Sequence, residues 1–295
     1  MNRLRRTRGA SALLHFLLFL PALASAETRI ATLLPCVEQA LAGAPGVEIV
    51  AGVRTSFRAP ERTDVVDLGS PHSPNVERLA GAGADLVVGD ARINGHMAES
   101  LGRFGAEVML IDTSSVDGVL SGLAALGDRV GAAATVAPRV AAAREQLAAQ
   151  RLAEPIEVLA LFGTPGRFQV VTGQAWLGSL LGELGFVNLG DDATGASRVP
   201  GFVEVSHEHL ATLRPEMVVL VAHGDPRAIR RELEQKLSGP GPWAGLRESA
   251  TRGVHVLSPG QFLANPGLAL PDAAGTLVAL AGQNGTPAPA VGAAP

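Results

Sequence analysis

The sequence has no tyrosine, a single cysteine (Cys36) and an aromatic share of only 4% among its 295 residues. One cysteine excludes an internal disulfide, so stability has to come from apolar burial. Without tyrosine no phenolate is available as a metal ligand. After residue 26 there is no apolar run of the roughly 20 residues needed to cross a bilayer. Positive charge is also in deficit: the formal net charge is −4, and it becomes −8 once the first 26 residues, with four arginines and no acid, are set aside. So acidic a surface excludes nucleic acid as a partner. Enzyme signatures are missing as well: there is no nucleophile elbow, HExxH or P-loop, and Gly81-Ala82-Gly83 precedes a predicted strand where a dinucleotide fingerprint would follow one.

The amino terminus is what a secretory signal requires. Arg3, Arg5, Arg6 and Arg8 precede a mostly apolar run from Ala12 to Leu23, and Ala24-Ser25-Ala26 forms a small-x-small cleavage site. Arg5-Arg6 opens the question of twin-arginine export, but Thr7-Arg8-Gly9 does not continue that pattern, which favours the Sec route. Leu33-Leu34-Pro35 before Cys36 is a poor lipoprotein box, so the expectation is a free periplasmic protein. From Gly282 to Pro295 the chain is mostly Ala, Pro and Gly without periodicity, the composition of a disordered tail.

Between these ends, short runs rich in Val, Ile and Leu alternate with helical patterns. Arg29 to Leu34, Glu48 to Val53, Asp85 to Val88 and Glu107 to Ile111 read as strands, and the alternation resumes with Ile156 to Phe162, Met217 to Val221 and Val254 to Leu257. The Ala-rich stretch from Val130 to Arg151, which contains Pro138, interrupts it with high helix propensity. The predicted fold is α/β, with two Rossmann-like lobes of parallel sheet joined by a long rigid helix. Its boundaries are a signal peptide at 1–26, an N-terminal lobe at 27–127, a connecting helix at 128–154, a C-terminal lobe at 155–281 and a tail at 282–295. An internal echo supports two equivalent halves. Glu77-Arg78-Leu79-Ala80, four residues, then Asp85-Leu86-Val87-Val88 is matched at identical spacing by Glu208-His209-Leu210-Ala211, four residues, then Glu216-Met217-Val218-Val219.

With these marks the chain resembles the ABC-importer binding proteins for iron siderophores, cobalamin and haem, whose two lobes are joined by a long helix. The resemblance runs over nearly the whole mature chain. In the N-lobe it rests on Leu68-Gly69-Ser70-Pro71-His72-Ser73-Pro74-Asn75-Val76-Glu77 and Ala84-Asp85-Leu86-Val87-Val88. In the C-lobe it rests on Leu161-Phe162-Gly163-Thr164-Pro165-Gly166-Arg167-Phe168, on Trp176-Leu177-Gly178, and on Val221-Ala222-His223-Gly224-Asp225-Pro226. Within the family it is most similar to a staphylococcal haem receptor in which a methionine of the first pattern and a histidine of the last ligate iron, one from each lobe. The methionine position is His72 here and the histidine is His223, so the resemblance implies imidazole on both faces of a haem, or a different ligand. It also implies that Glu77 and Glu208 present one acid per lobe to arginines of a membrane permease, for which the other reading is stabilisation of a helix N-terminus.

The remaining candidates each have two readings. Phe168 and Trp176 would wall a flat macrocycle, or pack in the core; Leu177, Leu180 and Leu181 extend a helical face beside Trp176. Arg92 and Arg167 would pair with ligand carboxylates such as haem propionates, or stay solvated. Cys36, at the start of the first helix, would have a dipole-favoured thiolate near the cleft, or be a small buried residue. His96 and Met97 suit a soft metal, although Ile93, Met97 and Leu101 at helical spacing make Met97 core; His207 and His209 read as exposed.

The expected function is capture of haem or a related metal chelate between the lobes and its delivery to an ABC permease and ATPase, by a monomer without catalytic activity or a resident cofactor. The alternatives are a corrinoid or ferric-siderophore carrier, and a periplasmic metal-chelate buffer that works without a transporter.

Overall fold

The structure is a computed structural model that describes residues 27–53, 64–193, 195, 199–204 and 206–283. The expected signal peptide, and the expected tail beyond its first two residues, lie outside the described residues.

The N-lobe runs through β1 (Thr28–Thr32), α1 (Pro35–Leu41), β2 (Val47–Gly52), β3 (Val66–Asp67), a hairpin of β4 (Gly69–Ser70) and β5 (Ser73–Pro74), α2 (Val76–Ala82), β6 (Leu86–Asp90), α3 (Ala91–Asn94), α4 (Ala98–Gly102) and β7 (Glu107–Ile111). Its sheet has the order β3-β2-β1-β6-β7 and is parallel throughout. The strand β6 is buried along its whole length, which is why Leu86, Val87 and Val88 read as an unbroken apolar run.

Two helices follow, α5 (Val116–Arg129) and α6 (Ala133–Ala149). The connecting helix is thus shorter than the 128–154 span expected. It buries Val136, Val140, Ala143 and Leu147, a stripe at spacings of four, three and four. Gly127 gives α5 room to approach it, because a Cβ there would lie 2.8 Å from Cβ of Val136. Arg139 then donates to the Ala40 carbonyl at 3.1 Å and so caps the end of α1.

The C-lobe consists of β8 (Glu157–Thr164), β9 (Arg167–Val171), α7 (Trp176–Glu183), β10 (Val187–Asn188), β11 (Phe202–Glu204), α8 (His207–Thr212), β12 (Met217–Ala222), α9 (Pro226–Ser238), α10 (Pro242–Ser249) and β13 (Val254–Leu257). Its sheet has the order β11-β9-β8-β12-β13, with β10 also paired to β8. The expected strands β8, β12 and β13 pair in parallel, and a further strand, β9, is antiparallel to both β8 and β11. The tight Pro165-Gly166 turn, with Gly166 at φ 78°, leaves no length for a crossover and forces a hairpin.

The last segment, α11 (Pro259–Phe262) and α12 (Leu270–Ala281), returns so that α12 packs beside α6 and the short turn Gly267–Ala269 between them packs beside α1. One apolar core therefore runs from Ile30 and Val37 through Leu123 and Val140 to Leu180, Phe262 and Leu277, joining both lobes. Two smaller cores lie on the outer faces of the sheets. A shared core makes wide separation of the lobes costly, since it would expose apolar surface at roughly 25 cal/mol per Å². No helix among the described residues is long and apolar enough to cross a membrane.

Candidate ligand-binding cleft

Both lobes place their polar loops at the carboxyl ends of parallel strands, where open α/β sheets bind ligands. On the C-lobe, β12 ends and His223 follows, its amide donating to the Gly163 carbonyl at 2.8 Å. The exposed His223 ring packs edge-on against Phe162, with centroids 5.9 Å apart, and Phe162 meets Phe202 in the same way at 5.1 Å. Gly224, at φ 128°, turns the chain into α9, whose first turn is capped by Asp225 through the Arg227 amide at 2.9 Å. The result is an aromatic shelf with an imidazole at its end. The Phe162 and Phe202 parts of it were not read from the sequence; the alternation of Leu161, Phe162 and Gly163, in which Phe162 faces away from the outer core, is the signal that could have found them.

On the N-lobe, His72 occupies the two-residue tip of the β4–β5 hairpin beyond the end of β3. It is exposed, and its amide donates to Ser70 Oγ at 3.2 Å. His72 and His223 share no hydrogen bond or ring contact.

Among the described residues, four hydrogen bonds join the two lobes. Arg92 Nη1 donates to the Gln174 carbonyl at 3.0 Å and reaches the Pro200 carbonyl at 3.5 Å, the Val116 amide donates to Ser179 Oγ at 3.1 Å, and Asn265 Nδ2 donates to the Thr113 carbonyl at 2.9 Å. Arg92, one of the two arginines expected to meet ligand carboxylates, is thus engaged by the opposite lobe. Its Nε also stands 3.8 Å from Asp112. Burial pushes the Asp112 carboxyl up, but hydrogen bonds from Ser114 and the Arg92 charge outweigh it and hold that group below the usual carboxylate range. The other arginine, Arg167, forms an ion pair with Glu204 across β9 and β11.

Phe168 lies away from the shelf. It is 8% exposed, belongs to the outer core of the C-lobe, and meets Trp243 edge-on at 5.5 Å with Lys236 Nζ 5.8 Å above its ring. The cause is the two-residue period of β9: Phe168 and Val170 share the face covered by α9 and α10. Trp176, the first residue of α7, is half-buried and stacks on Phe262 at 6.1 Å, so it packs against the shared core.

Cys36 is buried beside Gly267, and burial pushes its thiol up to about 12, which overrides any help from the helix dipole. Met97 packs against the outer N-lobe core and His96 is exposed; no cluster of three or more potential metal ligands occurs among the described residues. His207 is exposed, whereas His209 is half-buried, with Nε2 buried and unpartnered.

Glu77 and Glu208 occupy equivalent places. Each is the second residue of its helix and exposed, and each helix is capped alike: Asn75 Oδ1 accepts from the Arg78 amide at 2.9 Å, and Ser206 Oγ accepts from the His209 amide at 3.1 Å. Beside Glu208 lies an open depression of about 440 Å³ lined by His207, Ala211, Gly241, Pro242 and Gly245.

A sequence profile described as "Periplasmic binding protein" matches residues 30–237. The high-affinity heme uptake system protein IsdE of Staphylococcus aureus (strain Newman) is 23% identical over 215 residues, which cover 70% of this chain and 71% of that one. Among solved structures, an ABC transporter substrate-binding protein from Listeria monocytogenes EGD-e superposes with a TM-score of 0.73 at 19% identity, covering 86% of this chain and 98% of its own. The structure of S. aureus IsdE complexed with heme superposes at 0.71, also at 19% identity, covering 86% and 99%.

Proposed function

The chain belongs to the periplasmic binding protein family, and from that premise we propose that it is the solute-capturing component of an ABC importer whose cargo is haem or a related metal chelate. The observation that carries this reading is the C-lobe shelf, where the exposed His223 imidazole stands against Phe162, which in turn meets Phe202, at the carboxyl edge of the sheet. A flat macrocycle would lie on the aromatic rings while neutral imidazole ligates its iron. His72, on the hairpin tip of the other lobe, would supply the second axial ligand, coupling ligation to lobe closure. The loaded protein would then dock on its permease through Glu77 and Glu208, one acid from each lobe. This setting is the periplasm, and the protein's part is capture and delivery without chemical conversion.

One observation favours a second cargo. Both candidate arginines already have partners, Arg92 in the opposite lobe and Arg167 in Glu204, which suits a corrinoid, whose side-chain amides need no cation. The deciding experiment is an absorption titration of the mature protein with ferric haem, beside His72→Ala and His223→Ala. Bis-imidazole ligation predicts a sharp low-spin spectrum that either substitution changes. Weak, nonspecific haem uptake by the wild type would remove the haem reading, and a spectrum intact in the double substitution would remove the paired histidines.

A further inference from the structure

The hairpin that carries His72 is too small to hold itself. It has two residue pairs, Gly69 with Pro74 and Ser70 with Ser73, and an isolated two-stranded hairpin is at best marginally stable in water. Its tip is instead tied to the body of the lobe by a side chain that is itself fully buried. Asn94, 0% exposed, donates from Nδ2 to the Pro71 carbonyl at 2.8 Å and accepts at Oδ1 from the Asp90 amide, also at 2.8 Å. These partners fix the orientation of the amide, because turning it over would set N–H against N–H and carbonyl against carbonyl. Room for it comes from Gly89, where a Cβ would lie 3.0 Å from Asn94 Oδ1 and 3.1 Å from Asn94 Cβ.

The base of this tie is rigid. Asp90, at the end of the buried strand β6, accepts from the Arg92 and Ile93 amides at 2.7 and 2.8 Å and from the Thr113 hydroxyl, and the Thr113 carbonyl accepts from Asn265. The other end is stiff too, since the Pro71 ring fixes φ and the carbonyl held by Asn94 belongs to the peptide that leads into His72. An exposed carbonyl at a hairpin tip could be satisfied by water. Burying an amide to reach it serves placement of the tip.

We propose that Asn94 is the positioning residue for His72, holding the imidazole at a fixed place on the rim of the cleft. Its importance for cargo rests on the reading of His72 as a ligand contact; the anchoring does not. The test is backbone ¹⁵N relaxation on the ligand-free mature protein and on Asn94→Ala and Asn94→Asp, the second of which keeps the acceptor for Asp90 and removes the donor to Pro71. Order parameters at His72 and Ser73 should be near 0.8 or above in the wild type and fall below about 0.6 in both variants, with β6 amides unchanged. A tip that is already flexible in the wild type, a tip that stays ordered in both variants, or a loss of order shared by β6 would each overturn the role. Haem titration of the same proteins separates the two claims. Spectra of the variants that move toward that of His72→Ala support both, whereas a wild type that binds no haem removes the cargo reading alone, the order parameters deciding the anchoring in either case.

Discussion

Nη1 of Arg92 lies 3.0 Å from the carbonyl oxygen of Gln174, so a side chain rooted in α3, just past the end of β6, in one lobe is held by the backbone of the other. The same guanidinium reaches Pro200 and stands beside Asp112, which leaves it oriented from both sides. Together with the continuous core beneath α5, α6 and α7, it ties the two lobes to each other.

Arg92→Ala should therefore loosen the lobes. A hydrogen bond from a charged donor contributes about 1.5–3 kcal/mol when shielded, and solvent access here reduces that to roughly 1 kcal/mol, a shift of about fivefold toward open forms. Small-angle scattering of the ligand-free protein should show a larger radius of gyration, and bound ligand should leave faster. Arg92→Lys should restore only part of either, since an ammonium lacks the planar fork that meets Gln174, Pro200 and Asp112 together. Scattering curves that superpose for wild type and Arg92→Ala would show that the core alone sets the angle.

Two surface pairs make stability sensitive to acid. The hydrogen bond from Arg144, then its charge, holds the Asp117 carboxyl below its ordinary value, and the hydrogen bond from Arg129 does the same for Glu107. A carboxyl depressed by folding contributes fully above its unfolded pKa, around 4, and its contribution drains away as pH falls through the folded value. The urea midpoint should thus be insensitive to these groups from pH 7 down to about 5 and decline below about 4. Arg144→Met should lie below wild type at pH 7 and converge with it at low pH; a gap that persists at pH 2 would locate the effect elsewhere.

The framework was legible because its signals are local. Strand positions at 107–111, 217–221 and 254–257 agree with β7, β12 and β13 to within a residue; β12, buried along its whole length, is the clearest case, since a buried parallel strand is an unbroken apolar run. The echo between the halves has a physical basis: Asp85 Oδ2 accepts from the Arg29 amide at 2.8 Å and Glu216 Oε1 from the Glu157 amide at 3.2 Å, so equivalent acids begin β6 and β12 and steady the start of the neighbouring strand. What stayed hidden depends on which face of a strand a residue shares and on partners far along the chain. Phe168 and Phe162 look alike in sequence, and the hairpin through Pro165-Gly166 sets one in the outer core and the other on the opposite face, against the shared core and His223. Arg92 meets Gln174 across 82 residues, and no periodicity encodes such a pairing.

That difference between the two phenylalanines is measurable. Phe168→Ala should cost about 3–5 kcal/mol, the usual loss for a buried ring, because it leaves Trp243 and the Lys236 stem without their packing partner. Ligand spectra of the molecules that remain folded should be unchanged. Phe162→Ala, at a partly buried position, should cost less stability and alter the ligand spectrum through His223, whose ring it supports. The reverse pattern would mean that the outer face of the C-lobe, and not the shelf, receives the ligand.

Glu77 and Glu208 offer a test of delivery separate from capture. Their helices are capped by Asn75 and Ser206, so reversing either charge leaves the cap bonds intact and costs only the dipole interaction, about 0.3–1 kcal/mol at an exposed helix N-terminus. Glu77→Arg combined with Glu208→Arg should yield a folded protein whose ligand affinity stays within about twofold of wild type. Uptake by the permease reconstituted in liposomes should fall roughly tenfold or more, because rim charges that steer and orient docking would now repel. Each single reversal should be intermediate, since each removes one of two equivalent points, and Glu→Gln should be milder than Glu→Arg. Full uptake by the doubly reversed protein would dissociate these acids from transport and favour a chelate buffer that works without a permease.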